Sequence, residues 1–442
     1  MHKTDILPEL SGRNGWFETN RYKNHNFTSK EELQNSYDYI IVGAGFGGVN
    51  AAFRLAENEP QASIALFDAL KIGSFSSGKN AGFLIDVPHA IVGDPKFSED
   101  ELKWRFRLNR YVIDRMDQIR KKHSLILDWE QRGMHQAAHE QSGLKYLYEL
   151  SRFLDKFEAP YAWFNQEDTA SRLGTSFYFK SLYTPGTVLM NPSEVVRGLA
   201  TALPSSVAVF EETPIIDIKE GPIPEVLIAG NRSIKAKKII LTMSTFCRHF
   251  GVKHASNIAG IHSFGAFTRQ LNDSEIKTLG KAEPWGVTSA HPAGATLRYT
   301  TTKRLYVRTD ISFATHINIS PNRLYKSVKL LRRAFDRRFP DLKEVGFEYV
   351  YGGYIPITRN TMPLFGEVGQ NVVCGAVGDG TGVTRASTVG TFLADLVTGR
   401  DSEELRYINK NFHPNYIPPE PFRTIGGTAR LVWEDFHAKA EV

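Results

Sequence analysis

The chain has little cysteine: Cys247 and Cys374 are the only two in 442 residues. Far apart in sequence and set in apolar surroundings, they exclude a disulfide framework and argue against a structural metal. Each reads as a small buried hydrophobe. There is no 18-residue apolar run, and the polar opening MHKTDILPELSGRNGWFETN lacks a seven-residue apolar core. The reading is therefore a soluble protein of a reducing, cytoplasmic compartment with no integral membrane contact. No run of five or six like charges breaks the balance of 54 basic and 48 acidic residues, net +6, so no nucleic-acid or polybasic membrane surface is expected. The densest basic stretch, KLLRRAFDRR at 329–338, reads as a solvated helix face. No G-x-S-x-G elbow is present for a serine nucleophile. The pair His135 and His139 in HQAAH has i, i+4 spacing, expected on one helix face, but lacks the Glu of H-E-x-x-H and a third ligand. It is expected to be structural or solvated, and no metal is expected. His89, His262 and His316 are isolated and are read as structural.

What is present is organisation. Residues 1–36 read as an extended arm draped over a surface. YDYIIV (37–42) is a short buried strand, GAGFGG follows, VNAAFRLAEN (49–58) has helical spacing, and SIALF (63–67) is a second strand ending at Asp68. Residues 98–160 open on a Ser98 cap with Glu101 three residues on, and predict two or three long helices. Strands dominate 176–240 and 257–312, where TLRYTTTKRLYVRTD predicts a hairpin, and a helix is expected at 321–338. Asn371–Thr398 reads as strand, glycine turn and closing helix. The tail beyond 401 shows two Pro-rich bends and a short amphipathic piece.

The pattern predicts a mixed α/β fold: a discontinuous Rossmann-like nucleotide domain at 37–90, 187–255 and 345–400, interleaved with a substrate domain at 91–186 and 256–344 built on a mostly antiparallel sheet. The tail is 401–442. Gly43, Gly45 and Gly48 form G-x-G-x-x-G between a strand and a helix, where bare backbone and a helix N-terminus suit a pyrophosphate. Asp68, 20 residues beyond Gly48, stands where a carboxylate accepts hydrogen bonds from a ribose. These features do not distinguish NAD from FAD. A second glycine turn does: Gly375, Gly378, Gly380 and Gly382 lead into a helix whose N–H groups, from Thr381 to Thr384, would stabilise negative charge on a reduced flavin. The serine-rich loop GSFSSGKNAG (73–82) supplies hydroxyls and backbone for the ribityl part that the first fingerprint does not reach.

The segments YDYIIVGAGFGGVNAAFRLAE, SFSSGKNAGFL, FEETPI and PITRNTMPLFGEVGQNVVCGAVGDGTGVTRASTVGTFLADLVTG resemble the D-amino-acid-oxidase-type FAD-dependent oxidoreductases. Within them the chain looks most like the bacterial γ-glutamylputrescine oxidoreductase branch, from about Gly15 to Lys439. The resemblance implies FAD lying between the two domains. Gly45, Phe46 and Gly47 would present backbone to the pyrophosphate, Asp68 with Ala69 beside it would hold the ribose, and Ile215 would meet adenine. Thr242 and Ser244 would follow the pyrophosphate and ribityl chain. Ser76, Ser77, Lys79, Asn80, Ala81 and Gly82 would wrap the ribityl chain and one edge of the ring, and Gly380, Thr381, Gly382, Val383 and Thr384 would close its other end. The family loop reads S-G-R-N-G-G where this chain has Lys79 and Ala81, and Asn360 stands where the family often has Asp. No His in the early loop and no Cys beside PITRN implies non-covalent FAD.

The expected reaction is oxidation of a C–N bond in an amine or N-substituted amino acid, with hydride passing to flavin N5 and the imine then hydrolysed by water. O2 or another acceptor would reoxidise the flavin. The alternatives are a 2-hydroxy-acid dehydrogenase or a flavoprotein subunit acting with a partner protein, and a homo-oligomer is also open. The residues expected at the chemistry are Lys79, Arg298, Tyr299 and Tyr354, with Arg298 taking a substrate carboxylate. Arg298 pointing to solvent, and Tyr354 and Trp285 serving only the core, remain the competing readings.

Overall fold

The computed structural model of the chain describes residues 1, 3–28, 32–87, 97–280, 282–438 and 441; His89 lies outside the described residues. Ser36–Val42 pairs in parallel with Ile64–Phe67 on one side and with Arg232–Leu241 on the other. Val207–Phe210 and Val372–Ala376 extend this parallel core to the two sides. Antiparallel strands at the margins complete an eight-stranded sheet. The central strands Ile64–Phe67 and Val372–Ala376, and most of Ser36–Val42, are short, apolar and buried, as parallel strands covered on both faces are.

Two helices packed on this sheet, Phe46–Asn58 and Gly382–Val397, meet backbone to backbone at one point: a Cβ on Gly390 would fall 1.9 Å from the carbonyl oxygen of Gly47. This draws the first and last glycine turns to one end of the sheet. The capping box expected at Ser98 is formed: Ser98 Oγ accepts from Glu101 N at 3.2 Å, and Ser98 N donates to Glu101 Oε2 at 2.7 Å, opening the helix Glu99–Lys122.

The second sheet has eight strands, of which Trp285–Ser289 and Met134–Ala138 form its single parallel pair. The hairpin expected in TLRYTTTKRLYVRTD joins Thr296–Tyr299 to Leu305–Phe313. The helix Pro321–Arg338 covers the outer face of this sheet. No helix among the described residues is long and apolar enough to cross a membrane.

Four expectations require correction. HQAAH is not helical: Met134–Ala138 is a strand between the helices Glu99–Lys122 and Gln141–Lys156, buried on both faces, and His139 lies just beyond its end. His135 Nδ1 meets Ser181 Oγ at 3.2 Å and His139 Nδ1 meets the Phe177 carbonyl at 2.6 Å. The block 345–400 is split, because Phe347–Ile357 belongs to the second sheet, paired with Ala259–Thr268. The arm is inserted rather than draped: Trp16 is 2% exposed and its Nε1 donates to the Asn80 carbonyl at 2.9 Å. The tail carries two helices, Glu403–Asn411 and the 17-residue Phe422–Ala438. Cys247 and Cys374, both buried and unbonded, bring their sulfurs to 3.4 Å.

Candidate active site

At the first turn, Gly43 adopts φ +103°, a conformation that favours glycine, and a Cβ on Gly48 would strike the Gly43 carbonyl oxygen at 1.9 Å. Gly48 is therefore a packing glycine. Gly45 faces the serine loop, and a Cβ there would come within 2.3 Å of Ser77 Oγ. Asp68 closes the turn: Oδ2 accepts from Ala44 N and Oδ1 from Leu70 N, both at 2.9 Å. Burial outweighs these two donors and raises its pKa to about 6.

The loop 73–82 is fixed from several sides. Asn80 Nδ2 donates to the Ser77 carbonyl at 2.7 Å and Asn80 Oδ1 accepts from Gly82 N at 2.9 Å. Asn14 Nδ2 holds the Gly78 carbonyl at 2.8 Å. Lys79 is buried, with Nζ donating to the Gly352 carbonyl at 3.1 Å; desolvation lowers its pKa to about 8.

At the far turn, the helix Gly382–Val397 begins after Thr381, whose N and Oγ1 both donate to Asp379 Oδ1, at 3.0 and 2.6 Å. The other carboxylate oxygen meets Arg105 at 3.4 Å and Arg385 at 3.2 Å. Three buried charges thus hold the turn that aims the helix N-terminus.

These pieces line two adjoining cavities. Gly43, Asp68, Ala69 and Ile215 line one. Phe46, Gly47, Lys79, Asn80, Ala81, Gly380, Gly382 and Val383 line the other. Gly45, Ser76, Ser77, Thr242, Ser244 and Tyr354 belong to both, so together the cavities make one elongated cleft. Ile6, Leu7 and Pro8 of the N-terminal segment border the Asp68 end.

Gly48, Gly82, Thr381, Thr384, Arg298 and Tyr299 line neither cavity. Thr384 Oγ1 turns back to the Thr381 carbonyl. Tyr299 packs in the core of the second sheet with Trp285. Arg298 points neither to solvent nor to the cleft. It is 1% exposed, and its Nη1 donates to the carbonyls of Gly82 at 2.6 Å and Met190 at 3.3 Å, which makes it a brace beneath the serine loop.

The residue that does face the cleft is Arg308. The register runs Thr288–Thr296–Arg308–Gly265–Tyr351 across five neighbouring strands, and all five line the same cavity. Arg298 and Tyr306 lie one row away on the same face, two residues along their strands. Arg308 Nη1 donates to Ser263 Oγ at 3.3 Å and Nη2 to Thr296 Oγ1 at 2.8 Å. Its Nε is buried without a partner, and among the described residues no carboxylate pairs with it. Beside it the hydroxyl of Tyr351 donates to that of Tyr306 at 3.2 Å. Tyr306, Arg308, Tyr351 and Asp379 were not singled out by the sequence reading. The hairpin offered a signal, since alternation puts Arg298 and Arg308 on one face, but not which row overlies the cleft.

A glycine-walled nucleotide cleft on a parallel sheet, roofed by an antiparallel sheet, defines a flavin-dependent oxidoreductase. The cleft fits FAD: it is elongated, it carries a half-buried carboxylate at one end, bare backbone at Gly45 and Gly47 in the middle and a helix N-terminus at the other, and Gly382 opens on free space. Residues 38–396 match the DAO family, FAD dependent oxidoreductase, and the chain belongs to this family. It is 24% identical over 379 residues to Probable oxidoreductase OrdL of Rhizobium meliloti (strain 1021), covering 83% of this chain and 84% of that protein. Two solved structures share the fold. Glycine oxidase from Geobacillus kaustophilus gives a TM-score of 0.71 at 17% identity, over 87% of this chain and 100% of that one. Iminodiacetate oxidase from Chelativorans sp. BNC1 gives 0.69 at 16%, over 85% and 98%.

Proposed function

We propose that this FAD-dependent oxidoreductase oxidises the C–N bond of an amino acid or N-substituted amino acid whose carboxylate is held by Arg308. The observation that carries the reading is a half-buried guanidinium that lines the cleft, with only hydroxyl partners and a buried, unpartnered Nε. A buried charge without a counter-ion is expensive, and a substrate carboxylate supplies the missing one through a bidentate contact. A simple polyamine does not. The glycine oxidase and iminodiacetate oxidase resemblances agree in direction, since both named substrates are amino acids or amino diacids. The γ-glutamylputrescine branch stands as one candidate within this class.

FAD, bound non-covalently, supplies the two-electron acceptor. In this reading the chain's residues do the rest. Gly45, Phe46 and Gly47 give backbone to the pyrophosphate, Asp68 and Ala69 border the adenosine ribose and Ile215 the adenine. Thr242 and Ser244 follow the chain to the ring, and the helix N-terminus at Gly380–Val383 faces the ring's electron-rich edge. Arg308 fixes the substrate at one end so that its α C–H is presented to the ring. Phe83, Ile85 and the Tyr306–Tyr351 pair wall the site from water. Lys79 Nζ, with its pKa near 8, is the group placed to take the proton that an incoming ammonium must lose.

A 2-hydroxy acid would offer Arg308 the same carboxylate, so the test is a comparison. Under anaerobic conditions the flavin absorbance is followed with N-methyl amino acids, amino acids, γ-glutamylated amines, polyamines and 2-hydroxy acids. Bleaching by carboxylate-bearing amines is expected. Bleaching by 2-hydroxy acids alone, or by polyamines alone, would overturn the proposal.

A further inference from the structure

The polar row beside Arg308 extends further than one carboxylate requires. Thr296 Oγ1 already accepts from the guanidinium, and one strand beyond it Thr288 lines the same cavity. Thr288 is 7% exposed, and its Oγ1 is buried with no hydrogen-bond partner. A buried hydroxyl left unsatisfied costs about 1–3 kcal/mol, and a cavity-facing one is a point for a ligand group. Neighbouring strands lie about 4.8 Å apart. Because the Arg308 guanidinium reaches Thr296, the step from it to Thr288 is about one such spacing. Among the described residues, the positive groups that line this cavity are Arg308 and Lys79, while the one carboxylate, Asp379, is engaged by two arginines. The local field therefore favours an acceptor.

Resting on the assignment of Arg308 to a substrate carboxylate, we infer that Thr288 reads a second, hydrogen-bond-accepting group on the substrate, a carboxamide oxygen or second carboxylate about one strand spacing from the first. The site then selects amino acids with an acceptor-bearing side chain or N-substituent over those with a bare alkyl group. Thr288 is a specificity-determining residue, and Thr296 positions Arg308.

The test uses the FAD-loaded, full-length enzyme and three unreactive acids of one chain length: butanoate, succinamate and succinate. Their binding is followed by perturbation of the flavin spectrum. Succinamate and succinate are expected to bind roughly tenfold more tightly than butanoate, the worth of one good hydrogen bond in a buried site. Thr288→Val, which keeps the shape and removes the hydroxyl, should abolish that ratio while butanoate affinity stays within about twofold. Thr288→Ser should restore it, separating recognition from misfolding. Equal binding of all three acids by the wild type, or an unchanged ratio in Thr288→Val, overturns the inference and leaves the Arg308 reading standing. Failure of all three to bind overturns both.

Discussion

The two walls of the cleft present different chemistry to a ligand. The wall on the parallel sheet works through backbone: bare glycines at 45 and 47, a helix N-terminus at Gly382, and one carboxylate, Asp68, that is itself satisfied by two main-chain N–H groups. The wall on the antiparallel sheet works through side chains, Thr288, Thr296, Arg308, Tyr306 and Tyr351, set out across strands by register. The first can hold the same cofactor while most side chains around it vary. The second changes its chemistry with a single substitution. A conserved cofactor and a divergent substrate can thus share one cavity, each read by the wall suited to it.

Arg308→Met attacks the side-chain wall where the effect is largest. It should lower kcat/KM for a carboxylate substrate by about 100- to 1000-fold, the consequence of removing one partner from a buried ionic contact. FAD content, measured by absorbance, should be retained. Arg298→Met offers the contrast. It should lower Tm and the bound FAD fraction by releasing the Gly82 and Met190 carbonyls, with KM of the loaded fraction unchanged. If the two variants exchange phenotypes, the assignment of the rows is wrong.

Asp68 probes the backbone wall. Asp68→Ala should weaken FAD retention roughly tenfold with little change in KM, checked by dialysis followed by absorbance. In the wild type the carboxylate takes up a proton as the pH falls through about 6. It then accepts less well from a ribose hydroxyl, so FAD loss should steepen below that pH and the variant should lack the dependence. A wild-type off-rate that is flat between pH 5 and 8 would remove Asp68 from the cofactor site.

Lys79 stands where the walls meet, and its effect is the smallest. Its folded pKa, about 8, lies below the ordinary 10.5, so burial of the ammonium opposes folding fully below pH 8 and not at all above 10.5. Stability in urea should therefore rise from pH 8 to 10.5, and Lys79→Met should flatten that rise. If Lys79 takes the substrate's proton, the limb near pH 8 in kcat/KM should vanish in the same variant.

Much of the backbone wall was legible because its signals are local. G-x-G-x-x-G with Asp68 twenty residues on, the loop around Ser77, and the glycines before 382 each lie within a few residues of the atoms they present. The side-chain wall depends on pairing between distant strands. The hairpin placed Arg298 and Arg308 on one face, yet only the register with Ala259–Thr268 and Phe347–Ile357 decides that Arg308 lies over the cleft and Arg298 under the loop. The same dependence explains the misplacement of Phe347–Ile357, whose apolar run is equally at home in either sheet. The helical expectation for HQAAH failed because the spacing of two histidines does not by itself distinguish a helix from a strand: His135 lies in the strand and His139 just beyond its end.

The glycine-on-glycine crossing of Phe46–Asn58 with Gly382–Val397 joins a segment made early to one made late. A nascent chain exposes its first fingerprint early, yet the helix that seats against it is among the last long segments to be synthesised. Until Gly390 leaves the ribosome, Gly47 lacks this packing partner and the cleft lacks the end lined by Gly380, Gly382 and Val383. In the proposed reading, FAD is therefore seated only after segments from both ends of the chain have been made.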